Sequence, residues 1–511
     1  MAEIDSIEGY LESRGPNLAS AVGAWLADQG LTREAARKRL SRARPPVRSF
    51  PVPLFPKSTR FLYLEEQRGG EQFWDALHWA LRESGSVYGM AFDGVLARAG
   101  AMYEKEFTVI SGATVHKVKK QVLAKTVLER LIEAGLLRIL QPGDERIITI
   151  APAAMGQPDI DGIKARGVAE VIVLDGLREW ARNIGAASYN QIQIRGEPGL
   201  QPIQQFSFDL AGPSYLMSLR RGRAQGFLVA DVFSNGLLNE FEIRYFIRKA
   251  QALHASLAGG TVLPILVADG FTGPALTAGH GAGILMATPE TLFGPAVGAG
   301  LRSLVETLTR AAAYASSDTP DRLVGLVKSL SVIEGRAGNL RGTLFELMAA
   351  YLARRDGVWI DMGVRAIDSK TGAKADIDVL KMVKHNLECV AIECKGREPG
   401  GVVSVEEVDT WLRKIGVITA HLRHRFPEAA ISCELWSSGD FTPDALARMD
   451  AEKAKRTRFP IRWKTGKDVL TMARGLREKA MADALEQHFV GHPLVSVIAG
   501  DPTPPIVETA R

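Results

Sequence analysis

The stretch from Ala375 to Gly396, ADIDVLKMVKHNLECVAIECKG, constrains the fold of this chain more than any other. Its two short apolar runs, IDVL and CVAI, are typical of buried strands, and the residues between them suffice for a tight hairpin. Such a hairpin brings Asp378 beside Glu393, and strand alternation puts Lys395 on the same face as Glu393. Two adjacent carboxylates can hold a hard divalent cation, and a nearby lysine can polarise water. The pattern therefore predicts metal-assisted phosphodiester hydrolysis.

The spacing of these residues resembles the motif of the PD-(D/E)xK nuclease superfamily, which has the restriction-endonuclease-like fold. Asp378, Glu393 and Lys395 match the motif. Glu346 matches an acidic residue that the family carries on the preceding helix, which the apolar spacing predicts from Asn339 to Arg355. The family name would put a proline before the aspartate, and this chain has none there. The resemblance extends over roughly residues 334–472.

The resemblance implies a divalent-metal site. Asp378 and Glu393 would bind Mg²⁺, for which Mn²⁺ can substitute. The carbonyl of Cys394 would be a further ligand, and Glu346 would complete the site. Lys395 would position or deprotonate the attacking water, and in-line attack would leave a 5′-phosphate. An exposed hairpin with a salt-bridged glutamate and lysine would show the same short pattern without any activity, so that alternative stays open.

The composition is that of a globular protein with several domains. The length of 511 residues corresponds to about three or four domains, and 46% hydrophobic residues are ample for buried cores. No apolar run approaches the ~20 residues of a membrane span, and the N-terminus lacks the apolar segment of a signal peptide. The three cysteines suit neither a disulfide framework nor a zinc site, so we expect a cytoplasmic protein without membrane contact. A net charge of +5 permits nucleic-acid binding.

The N-terminal segment carries a basic helix. Two helical patterns meet at Gly30, and Thr32 is a suitable N-cap for the second one. This arrangement resembles a helix-turn-helix reader of nucleic acid, and the alternative is a solvated helix that covers the next domain. The expected nucleic-acid contacts are Arg33, Arg37, Lys38 and Arg42. Several prolines between Pro45 and Pro56 predict a linker after this helix.

A second unit shows a helix followed by two strands. The pattern predicts a helix from His116 to Ala134 and strands at Leu136–Leu140 and Arg146–Ile150. This order resembles a winged helix, a module that serves either nucleic-acid or protein binding. The expected phosphate contacts are Lys117 and Lys120.

The order of strand-like and helical runs between Gly167 and Ala315 parallels that of the C-terminal region. We therefore predict a second restriction-endonuclease-like lobe, in which Asp209 and Asp231 provide the acidic pair. Phe233 takes the place of the lysine, and since a phenylalanine cannot donate to water or phosphate, this lobe is expected to be inactive. An unrelated α/β domain with similarly spaced strands is the alternative.

The helix predicted after Gly396 carries basic residues beside its apolar stripe. Its expected contacts with backbone phosphates are Arg413 and Lys414. The sequence contains no G-x-x-x-x-G-K-[ST] motif, so ATP-driven translocation would need a partner protein, which could also regulate cutting. With one competent site per chain, a homodimer is expected for double-strand cutting.

The predicted fold class is α/β multidomain, with α-rich helix-turn-helix and winged-helix modules before two restriction-endonuclease-like lobes. The predicted boundaries are 1–56 for the first module and linker, 57–155 for the winged-helix-like domain, 160–325 for the degenerate lobe, 330–495 for the active lobe and 496–511 for the tail. The predicted function is a Mg²⁺-dependent DNA endonuclease of prokaryotic restriction or antiphage defence. The alternatives are a repair or recombination nuclease, an RNase, and a non-catalytic nucleic-acid-binding scaffold.

Overall fold

The computed structural model describes residues 6–119, 121–141, 145–187, 191–214, 216, 219, 226–257, 261–309, 324–326, 338–355, 357–383 and 387–490. The predictions for Lys120 and for the tail 496–511 therefore lie outside the described residues. The chain divides into two units, Met1–Leu292 and Phe293–Arg511. Across the described ranges, no helix has both the length and the apolar character needed to cross a bilayer.

The first module of the N-terminal unit combines three helices with a small sheet. The two helices predicted on either side of Gly30 are present, and Gly30 has a φ of +95°, which a glycine adopts without strain. Thr32 caps the second helix by accepting a hydrogen bond from the Ala35 amide. The elements are α1 (Ile7–Arg14), β1 (Asn17–Leu18), α2 (Ala19–Asp28), α3 (Arg33–Ser41), β2 (Val47–Ser49) and β3 (Phe61–Leu64), with the strands in the order β1-β3-β2.

The proline-containing segment after α3 is not a linker, which corrects the sequence prediction. β2 lies between the prolines and pairs with β3, so the sheet crosses the predicted boundary between residues 56 and 57. Val52 and Leu54 are buried in the core of the unit. The prolines are tolerated because β2 is an edge strand and they flank it, where no ladder hydrogen bond is lost.

The second module begins with one extra helix and then has the same order of helices and strands as the first module. Its elements are α4 (Glu71–Glu83), α5 (Val87–Ala97), β4 (Ala101–Tyr103), α6 (Phe107–Ile110), α7 (Ala124–Glu133), β5 (Leu137–Leu140) and β6 (Ile147–Ile150), with the strands in the order β4-β6-β5. The two strands predicted after Gly135 are present. The helix predicted from His116 begins only at Ala124, because Thr114 and Leu123 form an isolated bridge and the Ala124 amide bonds to the Thr114 carbonyl.

The middle lobe completes the N-terminal unit. Its elements are α8 (Gly162–Asn183), β7 (Gln193–Ile194), β8 (Leu210–Ser214), β9 (Gly226–Leu238), α9 (Arg244–Ser256), β10 (Val262–Phe271), α10 (Gly273–Gly281), β11 (Leu285–Ala287) and α11 (Pro289–Phe293). The five strands form one sheet in the order β11-β10-β9-β8-β7. Asp209 directly precedes β8, which begins at Leu210. One hydrophobic core runs from Leu18 to Ile284, so the modules and this lobe pack together.

The C-terminal unit has a second five-stranded sheet. Its elements are α12 (Pro295–Thr309), α13 (Gly338–Arg355), β12 (Trp359–Ile367), β13 (Lys374–Val383), β14 (Glu388–Lys395), β15 (Val402–Val403), α14 (Val405–Arg425), β16 (Ala430–Ser437), β17 (Asp440–Phe441), α15 (Pro443–Lys455), β18 (Ile461–Lys464), α16 (Gly466–Gly475), α17 (Lys479–Leu485) and a π-helical turn, Glu486–Val490. The large sheet has the order β12-β13-β14-β16-β18. Its core includes Trp411 and Ile415 from α14.

The two large sheets have the same strand order and polarity. In each, a helix precedes three antiparallel strands, and a second helix leads to two further strands that pair in parallel. The α/β multidomain architecture is thus confirmed, and the parallel between the middle and C-terminal regions holds at the level of topology. Each acidic pair therefore occupies the same place in its sheet.

Candidate active site

Asp378 and Glu393 lie on neighbouring antiparallel strands of the C-terminal sheet. The β13–β14 ladder pairs Val379 with Ile392 and Leu380 with Ala391. Continuing this register by one residue puts Asp378 opposite Glu393, so the two side chains are cross-strand neighbours on one face. The structure thus brings together the two acids that the sequence predicts as a pair.

The sheet forks at this pair. Beyond Asp378, β13 continues to pair only with β12, while β14 continues to pair with β16 as far as Lys395. At the fork the Cys394 amide donates to Asp378 Oδ2 at 2.7 Å, so a side chain replaces a backbone carbonyl as the partner of this amide. The fork holds both carboxylates at the open end of the hairpin.

Two lysines neutralise Glu393. Its carboxylate, only 5% exposed, accepts from Lys395 Nζ at 2.9 Å and from Lys414 Nζ at 2.8 and 3.1 Å. Lys414 extends from α14, where we had predicted a contact with a nucleic-acid phosphate. In the sequence, Lys414 directly precedes Ile415, which is buried. This position is the sequence signal that indicates a contact of Lys414 with the sheet.

The charges of the site shift the pKa of both Asp378 and Lys395. Burial and the charge of Glu393 raise the pKa of Asp378 to about 6. Burial alone would lower the pKa of Lys395, but the charge of Glu393 and the hydrogen bond to it raise that pKa above its usual value. Lys395 is therefore an ammonium at neutral pH.

Glu346 on α13 also lies near the pair. Burial raises the pKa of the Cys394 thiol well above its usual value, and the charges of Asp378, Glu346 and Glu393 add to this effect. Gly396 lets α13 come close, because a Cβ on this residue would lie 2.5 Å from the carbonyl oxygen of Arg341. The first turns of α13 thus pack directly against the end of β14.

The acids do not form a closed ligand set. Among the residues that the structure describes, no group of three or more histidine, cysteine, aspartate or glutamate side chains has the geometry of a metal site. At Glu393 the two ammonium groups supply the positive charge instead. The oxygens of Asp378 and Glu393 nevertheless suit a hard divalent cation.

The middle lobe repeats this geometry without the lysine of the motif. The β8–β9 ladder pairs Leu210 with Ala230, and one further step puts Asp209 opposite Asp231. The Val232 amide donates to Asp209 Oδ2 at 3.1 Å, the same bond that Cys394 makes to Asp378. Phe233 is buried at the position that corresponds to Lys395.

A lysine from the following helix is present in both lobes. Lys249 on α9 donates to Asp231 Oδ2 at 2.6 Å, as Lys414 on α14 donates to Glu393. Tyr245 also donates to Asp231 Oδ2, at 3.0 Å. The sequence alone does not distinguish Lys249 from the other basic residues of α9, because its contact with Asp231 depends on the packing of the helix on the sheet.

The basic residues predicted to contact nucleic acid lie at several surfaces. The four predicted contact residues in and directly after α3 are exposed: Arg33, Arg37, Lys38 and Arg42. Lys38 pairs with Glu34 at 3.0 Å, and the exposed Arg413 donates to the Thr410 hydroxyl at 2.9 Å. Lys117 is exposed but precedes α7 instead of lying on it.

Comparisons with protein-family models, with curated proteins and with solved structures found no match to this chain.

Proposed function

We propose that the C-terminal lobe is a divalent-metal-dependent nuclease that hydrolyses phosphodiester bonds in DNA, as part of a restriction or antiphage defence system. The observation that carries the proposal is the fork of the sheet, where Asp378 and Glu393 meet and Lys395 bonds to Glu393. This arrangement agrees with the PD-(D/E)xK resemblance of the sequence.

The acids of the fork would hold the cation. Asp378 and Glu393 are the expected Mg²⁺ ligands, with the carbonyl of Cys394, and Glu346 completes the set from α13. A bound Mg²⁺ or Mn²⁺ would supply charge stabilisation to the phosphate oxygens. Asp378 must lose its proton before it can serve as a ligand, so we expect cation binding to weaken as the pH falls below about 6.

Lys395 would act on the substrate as a cation. Its ammonium already bonds to Glu393 at 2.9 Å and is partly exposed, so it can reach a phosphate oxygen or the attacking water without leaving the acid. Positive charge fixed in advance stabilises the charge that develops on the phosphate during in-line attack.

The direct test is to incubate the full chain with plasmid, linear and single-stranded DNA and with RNA, in Mg²⁺, Mn²⁺ or EDTA. Metal-dependent cutting that disappears in Asp378→Asn assigns the activity to this fork and identifies the polymer. Cutting of RNA alone would make the protein an RNase. Absence of cutting on every substrate, together with salt-dependent DNA binding, would favour the non-catalytic scaffold.

Lys414 is expected to compete with the cation for Glu393. Replacing it by methionine removes the two hydrogen bonds to the Glu393 oxygens, so we expect Mn²⁺ to bind about tenfold more tightly, as measured by calorimetry. The matched control is Arg413→Met, which removes the same charge from the neighbouring, exposed position. Equal Mn²⁺ affinities in the two variants would show that Lys414 and the cation do not compete.

We also propose that α3 binds DNA. The double variant Arg33→Glu/Arg37→Glu is expected to weaken DNA binding at least about tenfold. The slope of the logarithm of the binding constant against the logarithm of the salt concentration should fall by about one for each phosphate contact that is lost. Fluorescence anisotropy at several salt concentrations measures both effects. Arg14→Glu on α1 is the control, because it changes the charge of an exposed arginine outside α3. An unchanged salt dependence in the double variant would rule out phosphate contacts by these two residues.

A double-strand cut needs two sites of this kind, and we propose that two chains supply them as a homodimer. Sedimentation of the DNA-bound protein distinguishes a dimer from a monomer that nicks each strand in turn. A regulatory or ATPase partner is a further proposal, tested by copurification from the native host. The three cysteines are free and buried, which suits the reducing cytoplasm that we propose as its location.

A further inference from the structure

Asp209 and Glu170 of the middle lobe are paired with two guanidinium groups that have little exposure to solvent. Arg195 Nε donates to Asp209 Oδ1 at 2.8 Å, and its Nη1 donates to Glu170 Oε2 at 2.6 Å. Arg98 Nη1 donates to the same Glu170 oxygen at 2.5 Å, and its Nη2 lies 3.5 Å from Asp209 Oδ2. Glu170 lies on α8, the helix that precedes this sheet, as Glu346 lies on α13 before the C-terminal sheet.

Arg98 comes from outside the lobe. It follows α5 of the second N-terminal module, and its side chain is only 6% exposed. Its Nη2 donates to the Val232 carbonyl at 3.3 Å, and its guanidinium carbon lies 4.8 Å from the centre of the Phe233 ring. The positive charge of Arg98 therefore lies beside Phe233, the residue at the position of Lys395. This charge comes from the second N-terminal module and not from the middle lobe.

Neighbouring bonds fix the same part of the chain to this face. Lys249 Nζ donates to the Val109 carbonyl at 2.8 Å, and Arg248 Nε donates to the Gly112 carbonyl at 3.0 Å. Asn235 Nδ2 donates to the Ala97 carbonyl at 3.2 Å. The segment 97–112 thus covers the face that carries the acids.

The charges of this site depend on one another. Burial alone would raise the pKa of Asp209, but Arg195 and Arg98 lower it below its usual value. Arg98 Nε and Arg195 Nη2, by contrast, are buried and have no hydrogen-bond partner among the described residues. Glu106, on the covering segment, lies 3.6 Å from Arg195 Nη1 and 3.9 Å from Arg98 Nη1. The two guanidinium groups thus face three acids, Asp209, Glu170 and Glu106, although not all of their own donors are satisfied.

We propose that Arg98 and Arg195 stand in the middle lobe where a divalent cation would otherwise bind, and that this arginine-filled site holds the segment 97–112 on the acidic face. The lobe is then a binding site for the chain's own N-terminal module. This role does not depend on whether the C-terminal lobe cuts DNA.

The test removes both guanidinium groups and offers the acids a cation. Arg98→Met/Arg195→Met is made in the full chain carrying Asp378→Asn, so that the C-terminal site contributes equally to variant and parent. In EDTA we expect the melting temperature of the N-terminal unit to fall by about 5 °C or more. Millimolar Mn²⁺ should recover at least half of that loss, and the parent should show no such response. Adding Asp209→Asn should abolish the recovery.

Two results would overturn the proposal. One is a folded Arg98→Met/Arg195→Met protein whose melting temperature does not respond to Mn²⁺. The other is a recovery by Mn²⁺ that survives Asp209→Asn, since the cation would then bind elsewhere.

A second pair of variants serves if the double variant does not fold. Arg98→Met leaves part of the Glu170 charge without its partner, so adding Glu170→Gln should restore at least half of the melting temperature that Arg98→Met loses. If Arg98→Met/Glu170→Gln melts at a lower temperature than Arg98→Met, the pairing does not hold this face and the proposal fails.

Discussion

Replacing Lys395 by methionine is expected to lower the rate of DNA cleavage about 100- to 1,000-fold. This is the usual effect of removing one group that stabilises the charge of the transition state. The side chain keeps its length and loses the ammonium that bonds to Glu393 at 2.9 Å. Glu393 retains its hydrogen bonds from Lys414, so we expect the fold to survive. Single-turnover cleavage in Mg²⁺ measures the rate, and circular dichroism checks the fold.

Lys395→Arg is the matched control for this variant. Arginine keeps the positive charge with a different donor geometry, so we expect part of the activity to return. DNA affinity should change little in either variant, because one partly exposed charge contributes little to phosphate binding. Full activity in Lys395→Met would remove the basis for the nuclease assignment.

Asp378→Asn is expected to abolish cleavage and, at neutral pH, to stabilise the protein. The pKa of this carboxyl is 3.8 in the unfolded chain and about 6 in the folded protein. The folded state therefore binds the proton more tightly, and wild-type stability falls as the pH rises through this interval. The amide oxygen of the variant can still accept from the Cys394 amide and carries no charge. Above pH 6 we expect Asp378→Asn to add about 1 to 3 kcal/mol to the free energy of unfolding.

The pH dependence distinguishes this mechanism from a general effect of the substitution. In denaturant titrations with EDTA, the difference between variant and wild type should be near zero at pH 3.5 and largest above pH 6. Asp376→Asn is the control, because Asp376 lies two residues earlier on β13 and is exposed. A variant that is less stable than wild type at pH 7 would contradict the proposed repulsion between Asp378 and Glu393.

The sequence could predict the acidic pair because both acids lie within one hairpin. Two strands joined by a short turn can pair in only a few registers. The apolar residues on either side of each acid must face a core, which fixes the register further. The helix with Glu346 could also be predicted, because its apolar residues form a continuous stripe at helical spacing. Lys414 could not, because a lysine beside a buried stripe usually reaches solvent.

The arginines of the middle lobe could not be predicted from the sequence either. Arg98 is distant in the chain from Asp209 and Glu170, and only the packing of the second module on the lobe brings it to them. The strand β2 was missed because prolines were interpreted as breaking regular structure, although an edge strand flanked by prolines loses no ladder bond. In both cases the decisive contacts are long-range.

The bond from the Cys394 amide to Asp378 has a direct counterpart in the bond from the Val232 amide to Asp209. The second lobe lacks the motif lysine, yet it keeps this bond. In both lobes the aspartate side chain thus accepts from a backbone amide of the neighbouring strand at the point where the two strands separate. Two features distinguish the lobes at this point: the residue two positions after the second acid, Lys395 or Phe233, and the guanidinium groups of Arg98 and Arg195 beside Asp209 in the middle lobe.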